Sequence, residues 1–185
     1  MVAASGVVEA HLSAANGEWI VVSRLSAPWS HDGTFLERFG MHARVPLPVH
    51  GGIASLLEFG SGGDGLWFVE RTADGEPLRA LMTSKTGSLT VDECVAIMER
   101  AVDALAALHA ENVVHGDLSA SSLFITSVGG VVLLHTGIAV VAGAHPSRGP
   151  ARSEPHAIAP EQLTGVSTEA TDVFRLGLLF LEMLT

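Results

Sequence analysis

The chain has 185 residues, with 10 Lys and Arg against 20 Asp and Glu and a formal net charge of -10. This length suits about one domain with a buried core. The acidic excess argues against nucleic-acid binding, which needs clustered cations. The single cysteine, Cys94, cannot form an internal disulfide and is compatible with a reducing compartment. We find no apolar run near the ~18–20 residues of a membrane helix and no signal-peptide pattern, so we expect a cytoplasmic chain without a membrane segment.

The first part of the chain is predicted to be strand-rich with one helix. Asn16 and Gly17 have the composition of a hairpin turn between two apolar runs. The prolines within residues 46–48 end a short helical pattern. The predicted elements are, in chain order, strands on both sides of the turn within residues 7–25, a helix at residues 34–44, and strands at about residues 54–59 and 66–70.

From residue 76 onward the apolar spacing becomes helical. Thr90 and Glu93 have the spacing of a capping box, in which each side chain accepts the other residue's backbone N–H. The apolar residues that repeat behind this cap are Cys94, Ile97, Met98, Ala101, Leu105 and Leu108. The other predicted elements are strands at residues 123–125 and 131–134, an irregular loop at residues 141–156, and a final helix from about Thr168 to residue 185.

The segment that indicates chemistry is His115-Gly-Asp117-Leu, which follows a predicted helix and precedes a predicted strand. On its own, this segment reads equally well as a simple turn. It resembles the catalytic loop of protein kinases, His-Arg-Asp-Leu-x-x-x-Asn. On that resemblance, Asp117 corresponds to the aspartate that orients the acceptor hydroxyl and takes its proton.

Further segments follow in the order and at the distances of the same family. Residues 135–137 (His-Thr-Gly) resemble Asp-Phe-Gly, and residues 159–161 (Ala-Pro-Glu) match the end of the activation segment. Residues 68–75 resemble the hinge between lobes. Asp172 begins a segment similar to the buried helix, and the matching aspartate holds the catalytic loop by its backbone. The residues expected to be structural on this resemblance are His115, Gly137, Glu161 and Asp172.

These motifs are similar to those of the eukaryotic-like Ser/Thr protein kinase superfamily. The resemblance implies an α+β, bilobal fold. The strand-rich N-lobe is expected at residues 1–70, and the helical C-lobe at residues 71–185, ending at the central buried helix. His-Gly-Asp-Leu is also common in small-molecule kinases of the aminoglycoside phosphotransferase type, which are the alternative within this fold. The Ala-Pro-Glu motif and the segment after Asp172 favour the protein kinase branch.

The two positions that hold Mg²⁺ in this family carry different residues here. Ser122 stands at the asparagine of the catalytic loop, and His135 stands at the aspartate of Asp-Phe-Gly. Mg²⁺ prefers oxygen ligands, usually carboxylates, so a hydroxyl and a neutral imidazole are poor replacements. We therefore expect no bound Mg²⁺ and assign no cofactor, and the sequence leaves binding of ATP open.

The positions that bind phosphate are altered as well. Arg24 aligns with the conserved lysine of the family, but the planar Arg group is not equivalent to Lys at a fitted phosphate site. Glu37 is the best match to the glutamate that pairs with this lysine, and a solvated helix residue is its other interpretation. Gly6, before Val8, matches only the third glycine of the glycine-rich loop, so the backbone is not expected to wrap phosphates closely.

The adenine side of the cleft is predicted from two residues. Glu70 aligns with the gatekeeper position, normally apolar, although a shift of one residue would place Val69 there. Phe124 matches the apolar residue under the adenine and reads alternatively as plain core. Ser119 stands where Ser/Thr kinases carry a lysine, and Gly116 replaces the arginine that binds an activation-loop phosphate.

The sequence thus predicts a pseudokinase, a kinase-like domain that binds a protein partner and has weak or absent nucleotide binding. One alternative is an active Ser/Thr kinase with Asp117 as base. Another is a truncated product without function. The family's fold continues beyond the helix at the end of this chain and begins with a fuller glycine-rich loop, so we expect a chain that is cut at both ends.

Overall fold

The computed structural model describes residues 7–15, 18–25, 33–62, 65–84, 89–143 and 157–185. A strand-rich part is followed by a mainly helical part, so the predicted α+β architecture is confirmed. The elements are strands β1 (Val7–Ala15), β2 (Glu18–Leu25), β3 (Ser55–Gly62), β4 (Gly65–Thr72), β5 (Gly75–Pro77), β6 (Leu123–Thr126) and β7 (Val131–Leu133), with helices α1 (Gly33–His42), α2 (Leu78–Ser84), α3 (Val91–Ala110), α4 (Ile138–Gly143) and α5 (Glu169–Leu184).

The first four strands form one antiparallel sheet in the order β1-β2-β4-β3. Residues alternate between the two faces of a strand, and in β2 the buried positions are Val21, Ser23 and Leu25. Helix α1 packs against this inner face through Phe35 and Phe39, which share an apolar cluster with Leu25. The inner face of β2 is therefore the face that the rest of the molecule contacts.

Helix α3 is the centre of the helical part. Its N-terminus carries the predicted capping box, since Glu93 N donates to Thr90 Oγ1 (3.2 Å) and Thr90 N donates to Glu93 Oε2 (2.8 Å). Five of the six predicted apolar residues are buried, and Met98 packs at the edge of the same core. This core also includes three residues of α5, namely Leu176, Leu179 and Met183.

The two parts of the chain are joined by backbone hydrogen bonds as well as by apolar contacts. Ala54 N donates to Leu133 O (3.0 Å), and Leu133 N donates to Gly52 O (2.8 Å). A small buried cluster combines Val21 of β2 with Phe124 of β6 and Leu134. The strand-rich part is therefore seated on the β5-β6-β7 sheet.

Some elements differ from the sequence predictions. Strand β5 and helix α2 were not predicted. The loop expected from residue 141 is wrong at its start, because α4 continues to Gly143. Residues 144–156 lie outside the described part of the chain. In α5 the side chains of Leu176, Leu179 and Met183 are buried against α3 and its neighbours. No helix among the described residues is long and apolar enough to cross a membrane.

The cap of α3 supplies a direct test of the fold. Thr90→Ala removes the acceptor for Glu93 N and is expected to lower the free energy of unfolding by about 1 kcal/mol in urea denaturation. Thr90→Asp keeps an acceptor at the same position and should retain most of the stability. Equal midpoints for wild type and Thr90→Ala would contradict this account of the helix start.

Candidate functional site

The His-Gly-Asp loop is held through its backbone by a carboxylate of α5. Asp172 is fully buried, and its Oδ2 and Oδ1 accept hydrogen bonds from His115 N (2.9 Å) and Gly116 N (2.7 Å). His109 Nε2 lies 2.9 Å from the same Oδ2. Gly116 has φ +85°, a conformation that favours glycine over any residue with a Cβ. Asp172 thus occupies the position that the resemblance implied and makes the backbone contacts expected of it.

His115 connects this loop to residues 134–137. Its Nε2 donates to Leu134 O (2.9 Å), which leaves Nδ1 to accept from Asp117 N (3.3 Å). Gly137 N donates to His115 O (3.1 Å). Burial lowers the pKa of His115 more than the nearby carboxylates Asp172 and Asp117 raise it, so its ring is neutral near pH 7.

Asp117 follows Gly116 in this loop, and its carboxylate lies close to a buried arginine. Arg175 Nη2 of α5 is 2.6 Å from Asp117 Oδ1. This contact is an ion pair by distance, and its geometry is not that of a linear hydrogen bond. Arg175 is 1% exposed, which is exceptional for an arginine.

Ser122 is engaged with the loop that contains it. Its Oγ accepts from Ser119 N (2.9 Å) and lies 3.2 Å from both Asp117 O and Ser119 O, to which it can donate. The side chain is buried. The hydroxyl therefore closes the turn after Asp117.

His135 lies between the two parts of the molecule. Its Nε2 is 2.9 Å from Ser23 Oγ of β2, and its ring meets the edge of Phe68 at a centroid distance of 5.6 Å. Burial, together with the smaller effect of nearby His115, lowers the pKa of His135 to about 3, so the ring is neutral near pH 7. His135 has φ +65°, an uncommon value for a residue with a side chain.

Glu70 of β4 points into the same space. Its Oε1 accepts from His135 N (2.8 Å), and Oε2 lies 3.5 Å from His135 Nε2 without a hydrogen bond among the described residues. Burial raises the pKa of Glu70 to about 7, and the His135 N–H acts in the opposite direction. A carboxyl group thus occupies the inner face of β4 in an environment that favours its neutral form.

A family profile described as "Protein kinase domain" matches residues 6–185 of the chain. The chain belongs to the protein kinase family. The bilobal kinase fold that the motifs implied is thereby confirmed, and the strand-rich part with α1 and the mainly helical part correspond to its two lobes.

The chain is similar to several bacterial serine/threonine-protein kinases. PknA of Mycobacterium tuberculosis is 33% identical over 172 residues, covering 88% of this chain and 40% of that protein. PrkC of Bacillus subtilis is 27% identical and Pkn1 of Myxococcus xanthus is 29% identical, over 90% and 91% of this chain. The chain spans about a quarter of the length of these last two proteins (26% and 25%).

The predicted lysine-position residue lies on the wrong face of β2. Arg24 is exposed, and the neighbours Ser23 and Leu25 are buried on the inner face. Because adjacent residues of a strand point to opposite faces, Ser23 is the residue that meets His135. The prediction that Arg24 lies in the kinase cleft is therefore corrected by one residue, and Ser23 takes its place. Glu37 is exposed on α1, whose buried side packs on the opposite face from Arg24.

The remaining predicted residues are Phe124, Glu161, Gly6 and Val8. Phe124 is buried against Val21 and Val132, where it serves as core. Glu161 Oε1 accepts from Thr171 Oγ1 of α5 (2.5 Å), and this hydrogen bond lowers the pKa of Glu161. Gly6 lies outside the described residues, and Val8 falls at an irregularity of β1, so both stay predictions.

Three residues that the motif comparison did not single out also hold the site. Ser23 could have been found from the alternation of β2, and Arg175 from its place on the apolar face of α5. Gln162 Nε2 donates to Gly116 O (2.8 Å) and ties the Ala-Pro-Glu segment to the catalytic loop. No three His, Cys, Asp or Glu side chains of the described ranges are grouped as metal ligands.

Glu70 predicts a specific pH dependence of stability. Its folded pKa of about 7 lies above the ordinary value of 4.5, so the folded state binds this proton more tightly. The stability it contributes is complete below pH 4.5 and is lost as the pH rises through about 7. Glu70→Gln lacks this loss. Its free energy of unfolding relative to wild type should therefore rise between these pH values, by up to about 3 kcal/mol.

The measurement is urea denaturation of both proteins across this pH range. Burial of His135 makes the free energy of unfolding rise with pH in both proteins, opposite to the effect of Glu70. The difference in free energy of unfolding between the two proteins is therefore the informative quantity. Glu37→Gln, which removes an exposed carboxyl of α1, is the matched control for loss of one negative charge. Parallel curves for wild type and Glu70→Gln would refute the assignment.

Proposed function

We propose that this chain is a pseudokinase domain, a kinase fold that serves as a protein-binding or regulatory module and does not transfer phosphate from Mg·ATP. The observation that carries the proposal is the hydrogen bond of 2.9 Å between Ser23 and His135. These two residues occupy the positions of the phosphate-binding lysine and the metal-binding aspartate. Two neutral side chains therefore face each other where the family uses a cation and an anion.

The metal side of the cleft supports the proposal through its donor set. The Ser122 hydroxyl is committed to backbone partners of its own turn, and the His135 ring to Ser23. A hard cation such as Mg²⁺ prefers carboxylate and carbonyl oxygens. The residues at the two metal positions do not fit that requirement, and we derive no step through the metal.

The phosphate side supports it through charge. Transfer needs a cation close to the β- and γ-phosphates. At the lysine position, Ser23 supplies only a hydroxyl, and Arg24 lies on the outer face of β2. Glu70, at the gatekeeper position, adds a carboxyl group instead of an apolar surface. A triphosphate would meet no compensating charge from these residues.

Support for a protein partner comes from the surface of α5. Val173 and Leu181 are 62% and 58% exposed, and Phe174 and Leu184 are also exposed. Exposed apolar residues that share one surface are typical of sites that another polypeptide covers, whether a separate chain or a later segment of the same protein. The formal net charge of -10 favours a partner that presents basic groups toward this acidic domain.

An active Ser/Thr kinase is the second candidate. It is favoured by Asp117 at the base position and by relatives that are named serine/threonine-protein kinases. In that reading, Asp117 accepts the proton of the substrate hydroxyl. An active kinase of this kind would have to transfer phosphate without the usual lysine and metal ligands.

The test compares wild type with a variant in which the missing groups are restored. Ser23→Lys, Ser122→Asn and His135→Asp together return the lysine and both metal ligands. Thermal-shift titration with ATP, with and without Mg²⁺, should show no metal-dependent shift for wild type and a metal-dependent shift for the triple variant. Arg24→Lys, Ser122→Asn and His135→Asp form the matched control, in which the lysine lies on the outer face of β2 and the shift should stay small.

A second experiment measures transfer of labelled phosphate from ATP to a protein substrate. Transfer from ATP by wild type that disappears in Asp117→Asn would overturn the pseudokinase proposal and support the active kinase. A wild-type chain without a cooperative unfolding transition would instead support the product without function. A metal-dependent shift of wild type that equals the shift of the triple variant would also contradict the proposal.

A further inference from the structure

The catalytic loop contacts a buried charge of α5 that none of the family motifs above describes. Arg175 lies one turn after Asp172 on α5 and is 1% exposed. Its Nε donates to Leu118 O (2.8 Å), and its Nη1 donates to Ala157 O (2.8 Å). Its Nη2 lies 2.6 Å from Asp117 Oδ1. One guanidinium thus contacts two residues of the catalytic loop and the segment that enters the Ala-Pro-Glu motif.

A buried guanidinium is tolerated only when its charge and its N–H groups find partners. Arg175 has a carboxylate for the charge and two carbonyl oxygens for N–H groups. Ser119, which replaces the lysine found two residues after the aspartate in Ser/Thr kinases, is itself buried and leaves that position neutral. The positive charge near Asp117 therefore comes from α5 and approaches from the side of the core.

The same contact bears on the role of Asp117. A general base must accept a proton in the reaction, which neutralises its carboxylate. The Asp117 carboxylate is also the counter-charge of the buried Arg175, and removing the counter-charge of a buried cation is strongly unfavourable. The geometry suits an aspartate whose carboxylate is one half of a fixed ion pair with Arg175.

We propose that Arg175 is a positioning residue that holds Asp117 as a structural anchor and fixes residues 157–164 against the catalytic loop. This inference rests on the proposed function, because it assigns to Asp117 a role in the scaffold in place of phosphate transfer. The segment that is held begins at Ala157 and continues into the 3-10 helix Pro160–Thr164. A partner that contacts this segment would meet a surface that needs no nucleotide to order it.

The test is a double-mutant cycle with Arg175→Met, Asp117→Asn and the double variant, read by urea denaturation without nucleotide. Asp117→Asn leaves the buried Arg175 without this counter-charge, so the unfolding equilibrium constant should increase roughly 100-fold. Arg175→Met leaves the partly buried Asp117 carboxylate without its cation and should also increase the constant, by a smaller factor. The double variant should lose less than the product of the two single effects. The matched control is Arg79→Met, which removes a partly exposed ion pair between Arg79 and Glu182 of α5. It should change the constant by less than about tenfold.

Amide hydrogen exchange supplies a readout that general destabilisation does not move selectively. Under conditions where wild type and variants remain folded, exchange at residues 157–164 should accelerate in Arg175→Met and not in Arg79→Met. If Arg175→Met does not fold, Arg175→Lys keeps the charge and loses the forked contact to Leu118 and Ala157. The same local acceleration is then expected. Adding Ser119→Lys to Arg175→Met returns a cation near Asp117 and should recover part of the stability.

Multiplicative effects of the two single substitutions, or unchanged exchange at residues 157–164, would overturn the anchor. These measurements contain no nucleotide, so such a result leaves the proposed function standing. Phosphate transfer that depends on Asp117 would overturn the proposed function, while the measured coupling between Arg175 and Asp117 would remain.

Discussion

The structure depends on one interaction, the acceptance of two backbone N–H groups by the buried carboxylate of Asp172. His115 and Gly116 donate to its two oxygens, so α5 fixes the direction in which the catalytic loop leaves α3. A buried anion is costly unless its oxygens are hydrogen-bonded, and here both accept a backbone N–H. His115, held in this way, bonds Leu134 O and accepts from Gly137 N. The loop and the segment after β7 are therefore positioned together.

This arrangement preserves the contacts that support the loop of residues 115–117. The groups that hold the loop are present, including Asp172 and the hydrogen bond from Thr171 to Glu161. Ser122, His135 and Ser23, to which the proposed function assigns the metal and phosphate positions, bond to one another or to nearby backbone. Burial disfavours charge, so neutral side chains that hydrogen-bond to each other are favoured in this cleft.

The motifs predicted the fold and the structural residues because each depends on local pattern. The capping box at Thr90, the helical spacing of α3 and the order of the kinase motifs are all visible in the sequence. Arg24 was misplaced because the alignment followed charge, whereas a strand follows alternation, and a shift of one residue moves a side chain to the other face. The alternation of Val21 and Leu25 about Ser23 carried the better signal.

The sequence by itself determined that this chain has a kinase fold, because the identity and order of the motif residues need no coordinates. It also predicts that Ser122 and His135 stand at the metal positions. Only the tertiary structure decided which groups meet. Ser23 and His135 are 112 positions apart, and Arg175 reaches Asp117 from a helix 58 residues later in the chain (175 minus 117). Contacts over such separations depend on how the strands and helices pack, because side-chain charge and hydrogen bonding act through distance in space and not along the chain.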